Sequence, residues 1–149
     1  MWLLSSGGRL EKFNLITGQF QAIRNLGSNR VELPPVNCMY NDKELLLLGT
    51  AQGIYLYHHR TNTVTHIMDD THPGQHLNSN KIQSIFKDDL QQYWLLTDNG
   101  VNTMNAAGAI TRSFLYSKDT TKTTWTSCSV MAQDKAGDYW IGTLGKGIL

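Results

Sequence analysis

Apolar runs of strand length alternate along this chain with polar stretches rich in Gly, Asn and Asp. Around Trp94 the order is clear. Lys81 to Phe86 is β-prone, Lys87 to Gln92 is polar, and Tyr93 to Thr97 is apolar again. Asp98-Asn99-Gly100 follows, with residue types that accept a positive φ in a tight turn. Val101 to Asn105, the turn Ala106-Ala107-Gly108 and Ala109 to Leu115 complete the unit. Runs of about five residues separated by turns predict antiparallel strands in a meander. No helix is predicted.

The same order recurs. Val36 to Tyr40, Leu45 to Gly49, Ile54 to His58 and Thr63 to Met68 form a second set of four. Trp2 to Ser5, Arg9 to Asn14 and Gln19 to Ile23 form a set without its first member. Ser129 to Gln133 and Tyr139 to Thr143 open a last set, whose third strand begins at Ile148. The anchors Trp2, Leu47, Trp94 and Trp140 lie 45, 47 and 46 residues apart. A fixed period of this size marks a propeller blade or a solenoid unit. Four short strands per period select the propeller: an all-β segment of four-stranded antiparallel blades, two complete and two partial. The expected boundaries are 1–24 for a partial blade, 25–70 and 71–116 for whole blades, and 117–149 for the last partial one. The chain is expected to begin inside a blade.

Three positions repeat with a structural purpose. Asn41, Asp88 and Asp134 each stand six residues before Leu47, Trp94 and Trp140. A short acceptor side chain there can cap the hairpin by receiving backbone N–H groups. Gly53, Gly100 and Gly147 mark the next turn. Trp94 and Trp140 are expected to be largely buried, each wedged against a neighbouring blade.

Composition narrows the function. The 149 residues carry 13 Lys and Arg against 12 Asp and Glu, a net charge of +1, so no bulk field attracts nucleic acid. The longest apolar run, Leu45 to Leu48, is too short to span a bilayer, and no membrane contact is expected from this segment. Met1-Trp2-Leu3-Leu4 has no basic n-region and is not expected to be a signal peptide. Cys38 and Cys128 fall two repeats apart, too far for a disulfide between them.

The repeats resemble the two-component regulator propeller repeat. The residues that carry the resemblance are Asn80, Ile82, Ile85, Asp88, Trp94 and Gly100-Val101, and again Asp134, Gly137, Trp140-Ile141-Gly142-Thr143 and Gly147-Ile148. Leu47 in place of Trp, Gln91 in place of a turn glycine and Arg9 in place of a glycine depart from the pattern. In that family the repeats build seven-bladed propellers, commonly in tandem. These form the periplasmic sensor region ahead of an immunoglobulin-like domain, a membrane helix and a histidine kinase. The resemblance implies a periplasmic, ligand-sensing segment that detects oligosaccharides and signals to a kinase outside this chain. A propeller serving only as a scaffold for protein contacts or dimerisation is the alternative. A propeller hydrolase or lyase is a weaker third.

Catalytic chemistry finds little support. Glycoside hydrolysis needs two carboxylates across a scissile bond, and no pair stands out from the repeated turns. The five arginines, Arg9, Arg24, Arg30, Arg60 and Arg112, form no evident anion cluster. The spacing of His72 and His76 beyond Asp69 and Asp70 fits no compact metal motif, so no metal or other cofactor is expected. What remains are the three longest connections, Arg24 to Pro35, Asp69 to Asn80 and Ser117 to Ser127. Long loops on a rigid scaffold often carry binding. Arg30, His76, Asn78 and Trp125 lie on them as candidate ligand-binding residues, Trp125 offering an aromatic face to a sugar or packing across a blade junction. Incomplete blades also leave strand edges open to other blades or to a second chain.

Overall fold

A computed structural model of the chain describes residues 1–69, 76–114 and 128–143, and the backbone of 147 and 148. The described residues form sixteen strands and no helix. The first sheet runs β1 (Trp2–Leu4), β2 (Leu10–Phe13), β3 (Phe20–Ile23). A small ribbon follows, β4 (Asn25–Leu26) paired with β5 (Val31–Glu32). The second sheet has four strands, β6 (Val36–Asn41), β7 (Leu45–Thr50), β8 (Gly53–His58) and β9 (Thr63–Ile67). The third repeats it with β10 (Ile82–Lys87), β11 (Tyr93–Thr97), β12 (Gly100–Met104) and β13 (Ile110–Phe114). The last comprises β14 (Cys128–Gln133), β15 (Tyr139–Thr143) and β16 (Gly147–Ile148). Each sheet is an antiparallel meander in chain order.

The sheets converge on their first strands, with β10 lying between β6 and β14. Asn37 donates its side-chain amide to the Ile82 carbonyl at 3.0 Å, tying one first strand to the next. All three first strands are bulged at the same place, between Val36 and Cys38, Ile82 and Ser84, and Cys128 and Val130. A bulge bends and twists a strand, here always where the sheets approach each other. This fan of meanders is an arc of a β-propeller.

The middle strands are buried on both faces, which is why their sequences read as continuous apolar runs. Leu46 and Leu48 of β7 point toward the first sheet and pack with Leu10, Leu26, Tyr55 and Val64. Leu45 and Leu47, one residue out of phase, point the other way and meet Ile82, Tyr93 and Leu95 of the third sheet. Leu96 and Val101 leave the third sheet's other face against Cys128 and Met131. Three apolar seams thus join four sheets. Cys38 and Cys128 lie in β6 and β14 with no disulfide between them, and burial pushes the Cys38 thiol up to about 12.

The turns between second and third strands share one device. Thr50 and Thr97 each donate a hydroxyl to the carbonyl of the turn glycine, Gly53 at 2.9 Å and Gly100 at 2.8 Å. Both glycines have positive φ, +99° and +127°. A Cβ would strike the carbonyl oxygen of Ile67 at the first and of Phe114 at the second, so the outermost strand excludes any other residue. Gly147 pairs with Thr143 at the corresponding place in the last sheet.

Two expectations need correction. The stretch from Arg24 to Pro35 is more than a loop. Its ribbon runs along the second sheet, where the Asn29 amide donates to the Val64 carbonyl at 2.9 Å and accepts from the Val64 N–H at 3.1 Å. One side chain stands in for a neighbouring strand at that edge. The second correction concerns Trp140. Trp94 lies inside a seam, its ring 4.5 Å from Tyr139 and stacked on Phe114 at 5.9 Å. Trp140 occupies the equivalent place in the last sheet and is 52% exposed. Burial of this position depends on a following sheet, and none is present among the described residues.

Candidate functional site

Each complete hairpin between first and second strands is organised by one aspartate. The Asp88 Oδ1 accepts from the Gln92 N–H at 2.8 Å. Its Oδ2 accepts from the Trp94 indole at 2.8 Å and from the Tyr139 hydroxyl of the next sheet at 3.0 Å. Asp134 repeats the local part: Oδ1 accepts from Ala136 and Asp138, and Oδ2 from the Trp140 indole at 2.9 Å.

In the second sheet the cap is Asp42, not the expected Asn41. Asn41 pairs with Leu46 where Lys87 pairs with Tyr93, so this hairpin is one residue shorter. Counting six back from Leu47 therefore lands one position early. Asn41 Oδ1 instead lies 3.0 Å from His59 Nε2. Asp42 Oδ1 accepts from the Glu44 and Leu45 N–H groups, each at 2.9 Å. Leu47 has no indole N–H to offer. Its place is taken from the next sheet by the Lys87 ammonium, 2.8 Å from Oδ2, while the Tyr93 hydroxyl donates to the same oxygen. Lys87 also lies over the Tyr93 ring, 4.9 Å from its centroid.

Burial alone would raise the Asp42 carboxyl. The donors Lys87, Tyr93, Leu45 and Glu44 outweigh it and hold the group well below the usual carboxylate range. Asp88 is held low by the same balance, burial opposed by Trp94, Gln92 and Tyr139. Asp134 is lowered chiefly by Trp140. The tyrosines respond in the opposite sense. Burial and the adjacent carboxylate raise Tyr93, and likewise Tyr139 beside Asp88.

The opposite end of the sheets carries the connection between β9 and β10. Asn78 spends its side-chain amide on two carbonyls, Val101 at 3.2 Å and Phe114 at 2.9 Å. Asn102 accepts from the Asn78 N–H at 2.9 Å and donates to the His76 carbonyl at 3.0 Å and to Ser113 at 2.7 Å. Asn99 donates to the Asn78 carbonyl at 3.1 Å. These amides brace the connection and leave the His76 imidazole at the surface, 75% exposed, with the Asp69 carboxylate 3.4 Å away. Lys81 and Asp98 stand nearby as a 3.8 Å ion pair. The result, among the described residues, is a polar rim able to exchange hydrogen bonds with hydroxyl groups.

The expected ligand-binding residues are not brought together. His76 and Asn78 share the rim. Arg30 sits at an exposed turn of the ribbon, with φ +51°. That turn is fastened to Asn62, whose carbonyl accepts from Ser28 at 2.8 Å, at the end of β9 away from His76. Trp125 lies outside the described residues. Asn99, Asn102 and Ser113 are the rim members that the sequence did not single out, and only the run of Asn residues around Gly100 could have signalled them. Among the described residues, no group of three His, Cys, Asp or Glu is placed to hold a metal ion, and no helix is long and apolar enough to cross a membrane.

The architecture is therefore a segment of a β-propeller, two whole blades flanked by partial ones. Solved structures share it. One is the extracellular domain assigned to the hybrid two-component system BT4673 of B. thetaiotaomicron, matched over 97% of this chain with a TM-score of 0.65 and 20% identity. Another is the extracellular domain assigned to the hybrid two-component system BT3049 of the same organism, matched over 99% with a TM-score of 0.55 and 17% identity. The chain spans 19% of the first solved chain and 24% of the second. No protein-family model and no curated protein matches the sequence.

Proposed function

We propose that this chain is a segment of an extracytoplasmic sensory propeller, of the kind that couples ligand recognition to two-component signalling. The observation that carries the proposal is the likeness, over nearly the whole chain, to extracellular domains of hybrid two-component systems. The independent resemblance of the repeats to the regulator propeller pattern supports it. The segment would bind rather than transform its ligand, because the polar groups of the described rim hold no nucleophile paired with a base.

The ligand class that fits is an oligosaccharide. Sugar hydroxyls need several donors and acceptors on a stiff support, and the rim around His76, Asp69 and Asn99 supplies them. A panel of neutral and acidic oligosaccharides titrated into the purified chain tests this, read by tryptophan fluorescence and calorimetry. A saturable response weakened at least several-fold by His76→Ala, with unchanged circular dichroism, is expected. A flat response in both readouts across the panel would reject the ligand class.

A further inference from the structure

The second and third sheets differ in how they hold the connection that leads into them. Tyr55 of β8 and Asn102 of β12 occupy the same place in their sheets. Each stands opposite a leucine of the second strand, Leu48 or Leu95, and opposite His66 or Ser113 of the fourth. Tyr55 stacks on His66 with ring centroids 4.0 Å apart, and the connection into that sheet is tied by its own Asn29. Asn102 is 0% exposed, and a buried carboxamide is costly unless its hydrogen bonds are made. Here they all serve the connection or Ser113. Oδ1 accepts the Asn78 N–H, and Nδ2 donates to the His76 carbonyl and the Ser113 hydroxyl. That hydroxyl donates in turn to the His76 carbonyl at 3.2 Å. Leu77, between the two held residues, is buried in the seam of the second and third sheets. Asp69 is held separately, its N–H donating to Asn80 Oδ1 at 2.7 Å.

We infer that Asn102 is a positioning residue for ligand recognition at the rim: from inside the sheet it sets the His76 imidazole beside Asp69, without reaching the ligand itself. The inference rests on the rim being the ligand site. Asn102 is fully enclosed, so no ligand contact explains its residue type. Packing does not explain it either, since an aromatic side chain fills the equivalent place in the second sheet. The carboxamide matches the two main-chain groups flanking Leu77, one acceptor and one donor, and those groups carry the rim. A ligand that hydrogen-bonds to His76 gains from a backbone whose freedom is lost before it arrives. Ser113 assists by gripping the same carbonyl. The Asn78 side chain has a separate task, bonding the Val101 and Phe114 carbonyls.

Asn102→Leu, which removes the polar atoms at similar volume, tests this in the whole chain, with Ser113→Ala and Ser113→Thr as milder variants. Amide hydrogen exchange read by NMR needs no ligand. Asn102→Leu should speed exchange of the Asn78 N–H about ten-fold or more, as for the loss of a hydrogen bond that opposes local opening, and leave β7 unchanged. Calorimetry with the panel of neutral and acidic oligosaccharides is then run where melts show every variant folded. Affinity should fall at least several-fold in Asn102→Leu and Ser113→Ala, and Ser113→Thr should restore it by keeping the hydroxyl. Should Asn102→Leu unfold, the Ser113 pair decides. Unchanged exchange at Asn78 would overturn the inference. So would normal sugar affinity in Asn102→Leu beside a responding unsubstituted chain, an outcome that spares the ligand reading. A flat response of the unsubstituted chain rejects the ligand reading instead, and reduces Asn102 to a structural tie.

Discussion

The hairpins at Asp88 and Asp134 are the same object in two settings. In both, one carboxylate oxygen receives the N–H four residues on, at 2.8 and 3.0 Å, and the other receives the indole six residues on, at 2.8 and 2.9 Å. Around Asp88 the next sheet adds the Tyr139 hydroxyl and covers Trp94. Around Asp134 no further sheet is described, and Trp140 faces outward. The local geometry is the same with and without a described neighbour. The motif is therefore a property of about ten residues, and the neighbour only converts a preformed hairpin into half of a seam. Such autonomy suits a repeat architecture, in which each unit contacts only those beside it.

The largest expected contrast is between the two tryptophans. Trp94→Ala should destabilise by about 3–5 kcal/mol, the range for truncating a large side chain in a packed seam. Trp140→Ala should cost about 1 kcal/mol or less. Urea melts of both variants give the comparison. Equal losses would show that Trp140 is covered in solution.

The next contrast sets Asp42 against Asp134. Asp42 and Lys87 are both mostly buried, with side chains 18% and 16% exposed. Removing the carboxylate strands a buried ammonium and a buried hydroxyl. Asp42→Ala should therefore cost about 2–3 kcal/mol, somewhat less than the loss for a fully enclosed pair. Asp134→Ala removes a cap from an exposed hairpin and should cost clearly less in the same melts. A reversed order would break the assignment of Lys87 as the replacement for an indole.

Acid exposes the same difference. Asp42 and Asp88 titrate below the usual aspartate range when folded. As pH falls through about 4, an unfolded aspartate takes up its proton first. The unfolded chain then holds more protons than the folded one, and stability drops with falling pH. The contribution is complete above about pH 5 and is lost toward and below pH 3. Asp42→Asn should flatten this acid slope in melts between those limits. A slope unchanged by the substitution would mean that the lowered carboxyl makes no linked contribution.

Tyr93→Phe and Tyr139→Phe remove only the hydroxyl that crosses a seam, and each should cost about 1 kcal/mol. The Tyr93 variant should be the more harmful, because Tyr93 is 1% exposed and Asp42 has no indole to fall back on. Matched losses would indicate that the two seams are equivalent despite Leu47.

Much of this was legible in the sequence, because strand spacing and turn chemistry are local. The apolar runs, the glycine turns and the second-strand register from Trp2 to Trp140 all follow from residues within one hairpin. The missed features are those set by a neighbour. Trp140 carries the same local signal as Trp94, and its exposure depends on a sheet elsewhere. The ribbon of Asn25–Leu26 and Val31–Glu32 is too short to show alternation. Asn29 completes an edge 35 residues away in sequence, which no local pattern reveals. Asn78 looked like a free loop amide, and only the fold shows it spent on Val101 and Phe114.

The smallest expected effect tests the register itself. Counting from the tryptophan position makes Asn41 the cap of the second hairpin, whereas the strand pairing gives that task to Asp42. The two residues are adjacent and similar in size, so truncating each separates the alternatives cleanly. Asn41 is exposed and its only side-chain contact among the described hydrogen bonds is His59, also near the surface. Asn41→Ala should therefore shift stability by about 0.5 kcal/mol or less, as for other surface positions. The contrast with the neighbouring Asp42→Ala should be several-fold. Were the ranking to invert, the shortened hairpin would be wrong, and with it the account of how Lys87 replaces the missing indole. A double variant sharpens the point: His59→Ala should make the Asn41 substitution silent, while leaving the loss at Asp42 intact, since the two side chains have no partner in common.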